Sequence, residues 1–269
     1  MVIDSHSHLE VKGFDRDRDA VVERALQAGV EAIVTVGTNL KDCRKAIALA
    51  RQYPSVYAAI GIHPHDSKDI DVETYDALRE LARQDKVVAY GEIGLDFYHN
   101  HSPRQVQIRC FGEQLELARE VGLPIVIHDR EAHRQILEML SGWQAGGVIH
   151  CFSGDYNMAR ICLDRGFYIS VPGTVTFEKA QPLRNVVRRI PLERLLVETD
   201  APFLTPDPHR GKRNEPAFVV HTARKVAEIR GISLEEVGTV TSGNVKALFG
   251  IDPRGPVETA AGDRQDRAL

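Results

Sequence analysis

The chain has 269 residues, 43% of them hydrophobic, which is ample for one large core; a single α/β barrel uses about 250 residues. A net charge of −4 supplies no global basic field, so any grip on nucleic acid must be local. The four cysteines, Cys43, Cys110, Cys151 and Cys162, show no C-x-x-C pairing, there is no basic-then-apolar leader, and no apolar run nears the ~18 residues of a membrane helix. These features lead us to expect a cytoplasmic protein with reduced thiols, no membrane contact and no obligate protein partner.

Short β-branched apolar runs alternate with segments of helical period along the chain, as in β/α units around a parallel sheet. In order they are VIDSH from Val2, EAIVTVG from Glu31, VYAAIGI from Val56, VVAYGEIG from Val87, PIVIHD from Pro124, GGVIHCF from Gly146, FYISVPG from Phe167 and LLVETD from Leu195. Eight such runs match the strand number of a closed (β/α)8 TIM barrel, which is the fold expected here. Between them lie amphipathic stretches such as RDAVVERALQAG, NLKDCRKAIALARQY, DALRELARQ, QIRCFGEQLELAREVG and EAHRQILEMLSGW. A doubly wound open sheet is the competing architecture, but it usually carries a Gly-rich phosphate turn, and no G-x-G-x-x-G appears.

After the eighth run comes APFLTPDPHRGKRNEP, too dense in Pro and Gly for regular structure. Two helices then close the chain, roughly over 216–230 and 233–248, the second opened by the capping-box sequence Ser233-Leu234-Glu235-Glu236. Residues 1–251 are therefore expected to form one barrel domain, and 252–269, polar and short of large apolar groups, a loose tail.

In such a barrel the reactive residues gather at the C-terminal ends of the strands. Those ends hold His6 and His8, His63 and His65, Glu92, His128, His150 and Asp200. Neutral imidazoles with charged carboxylates are what a transition-metal site uses. Any one histidine is more often a hydrogen-bonded core or loop residue. His6 and His8, however, share one strand face, and Glu92, buried between glycines in GEIG, needs a cationic partner. One metal centre accounts for all of these polar strand ends, whereas otherwise each needs its own partner.

These segments also carry a resemblance. VIDSHSHLE, GIHPH, GEIGLDFY, PIVIHDREAH, IHCFSG, LLVETDAPFLTP, RNEP and TSGNVKALFG are similar to successive motifs of the TatD family of metal-dependent hydrolases, amidohydrolase-like barrels. The resemblance implies a centre of two divalent metals, Zn, Mg, Mn or Ni, and phosphodiesterase chemistry, typically deoxyribonuclease activity. It further implies that His6, His8 and Asp200 hold one metal, His128 and His150 the other, and that Glu92 bridges them. The chain departs from the family at Glu10, where Asp or Asn is usual, and at Arg134, where an acidic residue is common.

Two metals about 3.5–4 Å apart can activate a water and neutralise charge on a phosphoryl oxygen. Asp200 and Glu92 are the expected catalytic residues, Asp200 as the base that orients the attacking water. Asp4 and Glu198 share faces with His6 and Asp200, either to orient the ligands from below or as members of buried salt bridges. For the substrate, expected to be DNA or another phosphodiester cut from a single-stranded end, the contact residues are His63, His65, Arg130 and Arg210. His209, Lys212 and Arg213 add to a local positive patch, and Phe97, Tyr98 or Phe152 could stack on a base. Two alternatives stay open: an ester or amide hydrolase such as a D-aminoacyl-tRNA deacylase, and a nucleic-acid-binding module with a structural metal.

Overall fold

Each of the eight apolar runs becomes a strand in the computed structural model, which describes residues 1–253. The strands are β1 (Val2–Ser7), β2 (Val30–Gly37), β3 (Val56–Ile60), β4 (Val87–Asp96), β5 (Ile125–Arg130), β6 (Gly147–Ile149), β7 (Tyr168–Val171) and β8 (Leu195–Val197). The helices are α1 (Arg18–Gln27), α2 (Leu40–Gln52), α3 (Val72–Leu81), α4 (Arg104–Val121), α5 (His133–Met139), α6 (Tyr156–Asp164), α7 (Gln181–Arg189), α8 (Val219–Arg230) and α9 (Leu234–Phe249). Neighbouring strands pair in parallel in strict sequence order. A Ser7–Ala201 bridge brings the two outer strands together, and the result is a (β/α)8 TIM barrel. The expected loose tail over 252–269 lies outside the described residues apart from its first two.

Helix boundaries moved where local capping outweighed periodicity. Helix α3 starts at Val72, ahead of the DALRELARQ stretch, because the Asp71 side chain accepts the Thr74 N–H at 2.8 Å and the Thr74 hydroxyl faces back in a full capping box. Ser233 caps α9 by accepting the Glu236 N–H at 3.0 Å. A short 3-10 turn, Pro216–Phe218, occupies the start of the penultimate helical segment, so α8 begins only at Val219.

Val126 and Val148 stand two residues before His128 and His150 on the same strand faces, and they cluster with Ala32, Val34, Ala59, Ala89 and Leu196. This apolar plug fills the barrel beneath the polar strand ends. Val245 and Phe249 of α9 join the same cluster. A second, larger cluster, including Ile33, Ala46 and Ile47, seats the outer helices. Among the described residues no helix is long and apolar enough to cross a membrane.

The glycines of GEIG have a packing reason. At Gly94, φ is 143° and a Cβ would lie 2.0 Å from the His128 carbonyl oxygen; at Gly91, φ is 156° and a Cβ would lie 2.4 Å from the Val126 oxygen. Only glycine lets β4 press this closely on β5, and the contact carries Glu92 to His128.

Candidate metal centre

The β1–β8 seam sets the first half of the centre. The Asp200 N–H donates to the His6 carbonyl at 2.9 Å and the His8 N–H to the Ala201 carbonyl at 2.7 Å, so backbone bonds fix Asp200 beside the histidine pair. His6 Nε2 and His8 Nε2 lie 3.3 Å apart. Asp200 Oδ1 is 3.4 Å from His8 Nε2 and 3.8 Å from His6 Nε2, while Glu92 Oε2 is 3.7 and 3.3 Å from the same atoms. Ligands about 2.0–2.1 Å from a tetrahedral ion stand roughly 3.3–3.4 Å from one another, so this set could hold one.

The second half forms around the other oxygen of the same carboxylate. Glu92 Oε1 lies 2.6 Å from His128 Nδ1, 2.9 Å from His150 Nε2 and 3.5 Å from His63 Nε2. Three of the four ligand rings also have a carboxylate or carbonyl oxygen behind them. His8 Nδ1 faces the Val36 carbonyl at 2.9 Å and Glu10 at 3.3 Å. His128 Nε2 lies 3.5 Å from Asp96 and His150 Nδ1 3.4 Å from Glu198, near each carboxylate without a hydrogen bond to it. An acceptor at the outer nitrogen leaves the inner lone pair directed into the centre. His6 Nδ1 is buried without a hydrogen-bond partner among the described residues, its ring stacked on His150 at 3.9 Å.

The electrostatics follow from this crowding. Burial by itself would raise the Glu92 carboxyl, but His150 and His63, with hydrogen bonds from His128 and His150, outweigh it and hold the group well below the usual range. Asp200 is likewise lowered: burial opposes ionisation, and the His8 hydrogen bond and neighbouring imidazoles overcome it. His63 is also pushed down, to about 4, by burial and by His128, which leaves its ring neutral. Its Nδ1 accepts the His65 N–H at 3.1 Å, which assigns the ring proton to Nε2, the atom that faces the centre.

All six expected ligands meet at one point, and His63 joins them. The remaining expected contacts spread outward. His65 turns to Asp96, with Nε2 2.8 Å from Oδ2. Arg130 lies over the exposed Tyr98 ring at 4.5 Å and Arg210 over Phe177 at 4.2 Å. The positive patch is largely engaged: Arg213 pairs with Asp17 at 2.6 Å and His209 Nε2 is 3.2 Å from His221 Nε2. Phe152 is buried and offers no face to a base, and Phe97 is covered by Arg104. Among the described residues Asp4 neither supports a ligand ring nor pairs with a cation; it accepts both the Thr199 N–H and hydroxyl, tying β1 to the segment after β8.

Sequence reasoning missed three residues. Glu10, read only as a departure, is buried, faces His8 and accepts the Thr35 hydroxyl at 2.7 Å. Asp96 was detectable, because it follows Glu92 and Gly94 at the period-two spacing that links His6 to His8. Phe203 is 56% exposed with its ring 6.1 Å from His8, a placement no periodicity predicts because it lies in the loop after β8.

A parallel eight-stranded barrel with imidazoles and carboxylates converging at its C-terminal mouth defines the class of metal-dependent barrel hydrolases. Within that class the chain belongs to the TatD related DNase family, whose model matches residues 3–250. It is 44% identical over 255 residues to the uncharacterized metal-dependent hydrolase YabD of Bacillus subtilis, covering 94% of this chain and 100% of that protein. It is also 44% identical over 253 residues to the 3'-5' ssDNA/RNA exonuclease TatD of Citrobacter koseri, covering 91% of this chain and 97% of the relative. Among solved structures, the TatD homolog YJJV from Escherichia coli superposes with a TM-score of 0.89 at 32% identity, covering 93% and 98% of the two chains.

Proposed function

We propose that the protein is a two-metal exonuclease acting on single-stranded nucleic acid, with residues 1–251 as its single domain and a cytoplasmic setting. The observation that carries the proposal is Glu92, whose two oxygens each face a separate donor set, His6, His8 and Asp200 on one side and His128 and His150 on the other. Relatives named as metal-dependent hydrolase and as ssDNA/RNA exonuclease support the chemistry and the substrate class. The free thiols of Cys43, Cys110, Cys151 and Cys162 agree with a reducing compartment.

Divalent ions bound there would supply Lewis acidity for activating water and for the charge that grows on a phosphoryl oxygen. The protein's own part begins with Asp200, ionised and at the edge of the donor set, which orients the attacking water and accepts its proton. His63, neutral and protonated on Nε2, donates a hydrogen bond to a phosphate oxygen. Glu10 holds His8 in register from behind, and Asp96 and Glu198 place negative charge behind His128 and His150. Tyr98, with Arg130 above it, and Phe203 are exposed aromatic faces suited to terminal bases.

The test is a metal-titrated activity panel on single-stranded DNA, duplex DNA, RNA, an aryl phosphodiester and an aminoacyl ester. We expect single-stranded DNA or RNA to be cut fastest, from the 3' end, with no activity after chelation. Preference for the aminoacyl ester would replace the nuclease reading with deacylation.

A further inference from the structure

We propose that His65, Asp96 and His99 form a separate metal-binding site on the rim of the barrel, for an ion such as Zn²⁺, Co²⁺ or Ni²⁺. It goes beyond the central pair and shares no ligand with it.

The site begins with a crowded oxygen. Asp96 ends β4 and is fully buried, and its Oδ1 already accepts the Tyr98 and His99 N–H groups at 3.0 and 2.8 Å. Its Oδ2 then faces three ring nitrogens: His65 Nε2 at 2.8 Å, His99 Nδ1 at 2.9 Å and His128 Nε2 at 3.5 Å. His128 Nε2 makes no hydrogen bond at that distance, so Oδ2 is left to the rings of His65 and His99, whose nitrogens converge on it. With the protons of His65 and His99 on their outer nitrogens, two imidazole lone pairs and the carboxylate oxygen turn towards one point. The ligand atoms of His65, Asp96 and His99 lie within 4.8 Å of one another, and the 2.8–2.9 Å carboxylate–imidazole separations match neighbouring positions about an octahedral ion.

The surroundings hold this geometry and leave it open. Gln107 brackets Asp96, accepting its N–H at 2.9 Å and donating to its carbonyl at 3.0 Å. Ser102 donates to the His65 carbonyl at 2.7 Å and accepts the Lys68 N–H at 3.1 Å, joining the loop after β4 to the turn that carries His65. His99 is exposed and His65 half-buried, so solvent reaches the remaining coordination positions. A fourth imidazole, His101, stands edge-on to His65 at 4.5 Å and stacked with His99 at 5.5 Å. Two imidazoles and one carboxylate with open positions favour a transition ion over Mg²⁺.

The experiment is equilibrium dialysis of metal-stripped protein against Zn²⁺ and, separately, Co²⁺, with bound metal counted by elemental analysis. We expect the wild type to bind one equivalent more than His99→Gln, and His99→Asp, which restores a ligand, to regain it. The same difference should persist in a Glu92→Gln background, where the central ions are weakened, so failure of the central pair and failure of the rim site read out separately. Equal metal content in the wild type and His99→Gln, in both backgrounds, would overturn the proposal.

Discussion

Glu92 and His128 face each other across the β4–β5 edge, with Glu92 Oε1 2.6 Å from His128 Nδ1. The other Glu92 oxygen is committed to His6, 3.3 Å away. Glu92→Gln keeps the shape but removes the charge that offsets the surrounding cations. It is expected to lower turnover by at least about 10²-fold and to reduce bound metal, read by elemental analysis. Full metal content at the wild-type rate would remove Glu92 from the centre.

Asp200 differs in kind, because backbone bonds to β1 hold it and its carboxylate stands slightly off the pair it serves, 3.4 Å from His8 and 3.8 Å from His6. Asp200→Asn is expected to cost roughly 10²–10⁴ in kcat while leaving the circular dichroism spectrum and most of the metal in place. Turnover equal to wild type would exclude it as the base.

Gly94→Ala tests how the fold builds the site. Its added methyl would meet the His128 carbonyl at 2.0 Å, and φ at this position is 143°. Forcing β4 away from β5 is expected to destabilise the protein on the order of 3 kcal/mol, read by urea unfolding, and to lower metal content at the same time. A stability loss with intact metal binding would mean the strands and the centre are less tightly linked than the geometry implies.

The barrel and its polar strand ends were readable in the sequence because both rest on short-range patterns, apolar runs eight times over and period-two histidines such as His6 and His8. Contacts that depend on the angle between elements were not. Glu10 reaches His8 through the chain's turn after β1, and His65 leaves the centre for Asp96 because the short helix Pro64–Asp69 swings it outward. The positive loop after β8 looked free in sequence, yet Arg213 is consumed by Asp17 on the approach to α1. Asp96 is the instructive case, since the rule applied to His6 and His8 holds equally for Glu92 and Asp96 on β4.

His133 offers a pH test away from the centre. Its hydrogen bond to Asp129, 2.9 Å long, raises its pKa, against opposition from partial burial and with help from the charges of Asp129, Asp155 and Glu131. A raised folded-state pKa means the stabilisation is complete below the unfolded value of about 6.5 and disappears as pH climbs through the folded value. His133→Gln should therefore unfold at lower urea than wild type at pH 5.5, with the gap closing by pH 9. A gap that stays constant across this range would rule out the linkage.

Arg130 lies two residues past His128 at the end of β5, with its guanidinium over the Tyr98 ring at 4.5 Å. Stacking on Tyr98 uses the face of the guanidinium and leaves its edge N–H groups for a phosphate beside the centre. A phosphate contact has a specific signature on single strands: each one contributes about 0.7 to the slope of log affinity against log salt. Arg130→Gln is therefore expected to raise KM for a single-stranded oligonucleotide and flatten the salt dependence by about that amount. The kcat on a small aryl phosphodiester should change little, because that substrate does not extend to the rim. Tyr98→Ala should raise KM as well, but by loss of base stacking, so its salt slope should match wild type. If Arg130→Gln leaves the slope unaltered, the guanidinium serves only to pack Tyr98.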